Sequence, residues 1–212
     1  MANKKSGLGK GLGQLFLENS VDELVANNTL PLEEIVPNKE QPRKTFDETA
    51  LEELAESIRQ HGVLQPLLVR PLPGGGYQLV AGERRYRASR IAGLREVPVV
   101  IRELSDVETM EIAIIENLQR EDLKPLEEAN GYKMLMDNFE FTQEEIAKTV
   151  GKSRPAVANA LRLLSLSPAV LELVKDGSLS AGHARALLPV KDEAQQLSIA
   201  QKVMSLGLSV RQ

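Results

Sequence analysis

The chain has 212 residues, 42% of them apolar and 26% charged, with a formal net charge of −4, a make-up that suits one large or two small soluble domains. It holds no cysteine, which excludes disulfides, thiol catalysis and cysteine-based metal sites, and its two histidines, His61 and His183, are too far apart in sequence to argue for zinc. No apolar run approaches the ~20 residues that cross a bilayer, and the glycine-broken N-terminal segment lacks the apolar core of a secretory signal, so a cytoplasmic protein with no membrane contact is expected.

The charge is unevenly spread. Lys4, Lys5 and Lys10 leave residues 1–16 cationic, residues 17–141 are acidic on balance, and residues 142–187 carry six basic against four acidic side chains. Positive charge therefore concentrates on an N-terminal tail and on the segment after residue 141, the places where a polyanion would bind.

Residues 1–28 read as a flexible arm, because the run Gly7-Leu8-Gly9-Lys10-Gly11-Leu12-Gly13 is too glycine-rich to hold a helix unaided. Residues 29–124 read as an α+β domain. Thr49 and Glu52 form a capping box opening a helix to about His61, with Leu51, Leu54, Ala55 and Ile58 on one face and Gly62 as its stop. Leu67–Arg70 and Gln78–Ala81 alternate as strands around a turn at Pro73-Gly74-Gly75-Gly76. A helix from Glu83 to about Ala92 ends at Gly93, and Val97–Ile101 is another strand. Ser105 and Glu108 cap a helix through Ile112, Ile115 and Leu118. Pro125 starts a helix to about Asn138 and, with it, an all-α region over 125–212, punctuated by Pro168, Gly177, Gly182 and Pro189. The chain ends at Val210-Arg211-Gln212 without a stop signal, as if cut where a further segment begins.

Residues 142–162 fit a helix-turn-helix. Thr142 and Glu145 cap the first helix, Ala147 allows close approach, Gly151 supplies the turn, Ser153 caps the second helix, and Val157 and Leu161 face inward. The N-terminal part of the second helix would then enter the major groove. Arg154 and Asn159 become candidates for base edges, with Gln143, Lys152, Ser153 and Arg162 better placed for phosphates. Gly182 and His183, at a further helix start, are placed against the same DNA, although a structural histidine fits the residue type equally well.

The strand ending at Ala81 runs into Gly82-Glu83-Arg84-Arg85. A glycine at a strand-to-helix junction frees backbone N–H groups for an anion, and arginines add forked cationic donors there. Gln41-Pro42-Arg43, Gly62-Val63-Leu64-Gln65-Pro66 and Glu116-Asn117-Leu118-Gln119-Arg120 are segments that could converge on it. Glu116 and Arg120, like Asn117 and Glu121, are spaced to share a helix face. Carboxylate and amide oxygens beside a polyphosphate suit hydrated Mg²⁺. The alternative, that Arg84, Arg85 and Arg87 pair with surrounding acids, stays open, and an internal carboxylate filling the corner would count for it. There is no Gly-x-x-x-x-Gly-Lys-Ser/Thr loop, which argues against an ordinary P-loop ATPase or GTPase.

In this order, the glycine-rich arm, Gln41-Pro42-Arg43, Gly62 to Pro66, Gly82 to Arg85, Glu116 to Arg120, the helix-turn-helix and Ser180-Ala181-Gly182-His183-Ala184 resemble the ParB family of chromosome-partitioning proteins. The resemblance covers nearly the whole chain. It implies a ParB/sulfiredoxin-like nucleotide domain, a helix-turn-helix domain reading the centromere-like parS site, and a C-terminal dimerisation domain absent from this chain. Sulfiredoxin chemistry itself needs a cysteine. The implied nucleotide is CTP with Mg²⁺. Gly62, Gln65, Gly82, Glu83, Arg84 and Arg85 would bind it, and Glu116, Asn117 and Arg120 would serve metal and phosphate, with Glu116 and Asn117 as metal ligands. Gln41, Arg43 and Glu83 would support hydrolysis to CDP and phosphate, since Gln can orient water, Glu can accept a proton and Arg can stabilise the transferring phosphoryl group. The implied mechanism is a sliding DNA clamp, closed by self-association of nucleotide-bound N-terminal domains. Lys10 would reach a ParA-type ATPase. A nucleoid-occlusion relative of the same fold and a non-enzymatic helix-turn-helix regulator are the rival readings, and Arg154, Ala160, Ser165 and Gly182 favour the partitioning branch.

Overall fold

The computed structural model describes residues 28–38, 47–120 and 123–212. Lys10, Gln41 and Arg43 therefore lie outside the described residues. The chain divides into two compact units between Asn117 and Leu118.

In the first unit, β1 (Asn28–Pro31), a single 3-10 turn (Leu32–Glu34) and β2 (Ile35–Val36) precede α1 (Glu48–His61), β3 (Leu67–Pro71), β4 (Tyr77–Ala81), α2 (Glu83–Ala92), β5 (Glu96–Ile101) and α3 (Asp106–Leu118). The five strands form a mixed sheet in the order β1-β5-β3-β4-β2. β3 and β4 pair antiparallel, with an irregularity between Leu68 and Val69, while β3 and β5 run parallel. Leu67 and Val69 on β3, and Val97 and Val99 on β5, are buried at period two. They pack with Leu32, Ile35, Leu79 and Tyr86 into one core. α1 and α2 share a second cluster of Leu51, Ala55, Ile58 and Ala88.

One expectation for this unit needs correction, and two short strands add to it. α1 is capped by Asp47, whose Oδ1 accepts from Thr49 N at 3.0 Å and Ala50 N at 3.4 Å. An aspartate two residues ahead of Thr49 supplies a charged acceptor to the same free N–H groups, so the Thr49–Glu52 box is not used. β1 and β2 carried no signal, because one is a half-exposed edge strand ending in Pro31 and the other has two residues. α3 stops at Leu118, so Arg120 lies just beyond the helix that carries Glu116, and Glu121 lies outside the described residues.

The second unit holds α4 (Pro125–Phe139), α5 (Gln143–Thr149), α6 (Arg154–Leu163), α7 (Pro168–Lys175), α8 (Ala181–Leu187) and α9 (Glu193–Leu206). Thr142 Oγ1 accepts from Glu145 N at 3.2 Å and Glu145 Oε2 accepts from Thr142 N at 2.9 Å, the reciprocal cap expected. Ser153, Ser180 and Asp192 cap α6, α8 and α9. The inward residues of α6 are Val157, Ala160 and Leu163, with Leu161 half-buried rather than inward. Leu126, Leu163, Leu166, Val170, Val174, Leu179, Ala184, Leu187 and Ala200 make the core. Buried Gln196 ties three helices: its Oε1 accepts from Ser167 N at 2.8 Å, and its Nε2 donates to Leu187 O at 3.3 Å and Val190 O at 3.2 Å. The α+β-then-all-α order is as expected. Among the described residues no single helix is long and apolar enough to cross a membrane.

Candidate functional site

The glycine corner exists as a backbone device. Gly82 sits between β4 and α2 with φ 101° and ψ 28°, the left-handed conformation that side-chain-bearing residues avoid. A Cβ there would also come within 2.9 Å of Leu67 Cδ2. Gly82 N–H donates to Glu116 Oε1 at 3.3 Å. Arg85 Nη1 donates to Gln65 O at 2.8 Å and Pro66 O at 2.6 Å, pinning the loop after Gly62 onto α2. Burial draws Arg85 below the usual guanidinium range, and the charge of Glu116 opposes that shift, so the cation has an anionic neighbour in a partly desolvated setting. Gly62 ends α1 with φ 73°. Four of the expected segments' residues, Gln65, Gly82, Arg85 and Glu116, are thus brought together over sequence separations of 20 to 34 residues.

The other expected nucleotide residues are placed differently. Arg84 is exposed. Glu83 is 6% exposed and turns to Arg87, whose Nε donates to Glu83 Oε1 at 2.7 Å. Among the described residues its Oε2 is buried without a hydrogen-bond partner, an uncommon and unfavourable state for a carboxylate oxygen. Glu83 lines a cleft of about 720 Å³ with Pro37, Glu48, Glu52, Tyr86 and Arg90. Pro37 and Glu48 bracket the Gln41-Pro42-Arg43 segment in sequence. Asn117 is half-buried in the last turn of α3 beside Glu116 in sequence, whereas Arg120 falls in the second unit. Among the described residues no three His, Cys, Asp or Glu side chains cluster as a metal site. A magnesium ion that keeps its waters and takes one or two carboxylates plus phosphate oxygens needs no such cage, so the single carboxylate of Glu116, now accepting from Gly82 N–H, fits that requirement.

The helix-turn-helix presents its expected residues on the α5–α6 surface. Arg154, Asn159, Arg162, Lys152 and Ser153 are exposed, and Gln143 is half-buried. Lys152, Ser153, Asn159 and Arg185 line a cleft of about 430 Å³ between α4, α6 and α8. Arg185 is the cleft residue that the positive balance of residues 142–187 included without its being singled out. His183 accounts for both ring nitrogens inside the unit: Nδ1 lies 2.7 Å from Ser180 Oγ and Nε2 lies 3.0 Å from Leu208 O. The carbonyl requires Nε2 to carry the proton, leaving Nδ1 to accept from the serine. A Cβ on Gly182 would meet Val210 Cγ2 at 3.2 Å, so the segment after α9 covers this helix start.

Comparison with known proteins follows the same division. The ParB N-terminal domain model matches residues 17–118 and the ParB HTH domain model matches residues 121–212. The chromosome-partitioning protein Spo0J of Thermus thermophilus is 54% identical over all of this chain and 76% of its own length. The crystal structure of C-terminally truncated ParB from Caulobacter crescentus complexed to the centromeric parS site is 50% identical, covers 87% of this chain and 95% of its own, and has a TM-score of 0.77. A second structure of that Caulobacter protein, complexed with CTP-gamma-S, is 52% identical over 84% of this chain and 98% of its own, with a TM-score of 0.42. With both parts of the chain matched in order and a relative so similar along the full length, the chain belongs to the ParB family of chromosome-partitioning proteins.

Proposed function

We propose that this chain binds parS double-stranded DNA through α5 and α6 and is switched by CTP and Mg²⁺ at the Gly82 corner, hydrolysing CTP to CDP and phosphate as a DNA clamp that loads at parS and slides. The DNA reading is supported by the 50% identical relative crystallised on parS and by the exposure of Lys152, Arg154 and Asn159. Arg154 and Asn159 read base edges, while Gln143, Lys152, Ser153 and Arg162 hold phosphates. Gly182 and His183 act from the start of α8, His183 as the support that holds that helix to Leu208 rather than as a free donor. The clamp works in the cytoplasm on the nucleoid. Nucleotide drives self-association of N-terminal domains, and Lys10 meets a ParA-type ATPase.

The observation that carries the nucleotide reading is the Gly82 N–H donating to a carboxylate beside a half-buried arginine. The corner holds an anion, and the anion is the protein's own Glu116. At 3.3 Å this bond is longer than a strong charge-assisted one, ~2.7–2.9 Å, which leaves it replaceable. A phosphate oxygen takes that donor and Glu116 turns to the Mg²⁺ it would hold with Asn117. Magnesium, when bound, supplies charge neutralisation across the phosphates. Gly62, Gln65, Arg84, Arg85 and Arg120 complete the nucleotide contacts. Glu83 Oε2, buried and without a partner among the described residues, is an acceptor for a water proton. Gln41 and Arg43 support hydrolysis from the segment that Pro37 and Glu48, both on the cleft of Glu83, bracket in sequence.

The same Glu116 bond favours one rival, a helix-turn-helix regulator with a structural N-terminal domain. Radiolabelled CTP binding and turnover, measured with and without parS duplex, decides between them. The expected result is parS-stimulated turnover that Arg85→Ala abolishes. No CTP binding in the presence of parS, with Arg85→Ala indistinguishable from wild type on DNA, establishes the regulator instead. Preference between parS and a nucleoid-occlusion operator separates the remaining rival.

A further inference from the structure

The cleft beside α6 contains an acid where a phosphate-binding surface has no obvious use for one. Glu128 lies in the first turn of α4 and lines this cleft with Lys152, Ser153 and Asn159. It is held from beneath by Tyr132, one turn on and 1% exposed, whose hydroxyl donates to Glu128 Oε1. The same oxygen stands 3.8 Å from Lys152 Nζ. Burial, and then the hydrogen bond and charge of Glu128, push the phenol well above its ordinary range, so it stays a donor and the carboxylate stays oriented. Other ion pairs of this unit, Lys133–Asp137, Glu144–Lys148 and Glu172–Lys175, are neighbours along a single helix. Glu128–Lys152 instead joins α4 to the residue preceding the cap of α6, and a buried hydroxyl fixes one partner. An exposed ion pair stabilises by only ~0–1 kcal/mol, a weak reason to devote a buried tyrosine to it.

We infer that Glu128, braced by Tyr132, is a built-in competitor of DNA phosphate for Lys152. Glu128 is a positioning residue: it keeps the lysine occupied until a phosphate displaces the carboxylate. Non-specific binding consists almost wholly of phosphate contacts. Weakening one of them therefore lowers random-sequence binding toward the level at which DNA is released, while base contacts retain the specific site. The inference rests on the DNA-binding reading above.

The test uses the full chain, with a random-sequence duplex and a parS duplex titrated across a salt series. Glu128→Gln keeps the shape and an acceptor for Tyr132 but loses the charge. It is expected to tighten random-duplex binding about two- to fivefold and to steepen the salt dependence by up to ~1 counterion. Tyr132→Phe is expected to act in the same direction and more weakly. With Lys152→Ala in place, Glu128→Gln is expected to leave the salt slope where Lys152→Ala alone puts it. Unchanged affinity and slope in Glu128→Gln overturn the inference. So does an equal effect in the Lys152→Ala background, which would mean that the carboxylate repels phosphate directly. If Tyr132→Phe fails to fold, the partly exposed Glu128→Gln carries the decision. A wild-type chain that binds random and parS duplexes equally tightly sinks the proposed function while leaving the competition measurable on random duplex.

Discussion

Gly82 and Gly151 are both left-handed glycines just ahead of a helix start, at φ 101° and 66°, yet their surroundings differ. Around Gly151 a Cβ would find open space, whereas at Gly82 it would press on buried Leu67 and on Arg85. The helix-turn-helix is assembled from neighbours: caps three residues apart and a turn between adjacent helices. The Gly82 corner is assembled from a strand, a distant loop and the end of α3. A reader of DNA can be built as a local motif that docks on a small core, while an anion pocket needs several chain passes to converge. Damage should therefore stay contained in the first and spread in the second.

Gly82→Ala is the strongest way to break this contrast. Left-handed strain and overlap with Leu67 together should cost about 3 kcal/mol, against about 1 kcal/mol for Gly151→Ala, where only the strain applies. Denaturant unfolding of the two variants measures both, and equal losses would erase the distinction. Next, Arg154→Ala should lose ~1–3 kcal/mol of preference for parS over random duplex. Lys152→Ala should weaken all sequences alike and lower the salt slope by ~1. Competition binding at several salt concentrations separates the two, and matched losses would mean that base and phosphate contacts are assigned wrongly.

The smallest effect sharpens the comparison, because the two units share one capping device. Glu108 and Glu145 are held below the ordinary carboxylate range, first by the backbone N–H of Ser105 and Thr142 and then by their hydroxyls. A carboxyl lowered in the folded state adds stability that is present above its unfolded value, ~4.3, and lost as pH falls through the folded one. Glu145 is exposed and Glu108 half-buried at the surface, so screening keeps each contribution to about 0.5 kcal/mol or less. Ser105→Ala and Thr142→Ala should each remove a cap worth about 1 kcal/mol and flatten the acid limb of stability between about pH 5 and pH 3. Thermal melts across that range test this, and an unflattened limb in either variant would assign the acid sensitivity to other carboxylates.

Elements with a strong local signature were readable in advance. Ser153 capping α6, Pro125 opening α4 and Gly93 closing α2 each appear where the residue type requires it. The alternation through Leu67, Val69, Val97 and Val99 marked the central strands. Asp47 was passed over because two caps compete within three residues, and choosing between them depends on where the preceding loop delivers the chain. β1 escaped because Asn28–Pro31 becomes a strand only by pairing with β5.

By itself the sequence determined the helix caps other than that of α1, the glycines that end α1 and α2, the helix-turn-helix and the order of family motifs, since each depends on residues within a turn or two of one another. The tertiary structure alone decided that Arg85 grips Gln65 and Pro66, that Glu116 meets Gly82, and that His183 holds Leu208. It also decided that Tyr132 aims Glu128 at Lys152. The reason is geometric: a side chain's allowed partners are set locally, but which of them it meets depends on how elements twenty or more residues apart pack, and many packings share the same local rules.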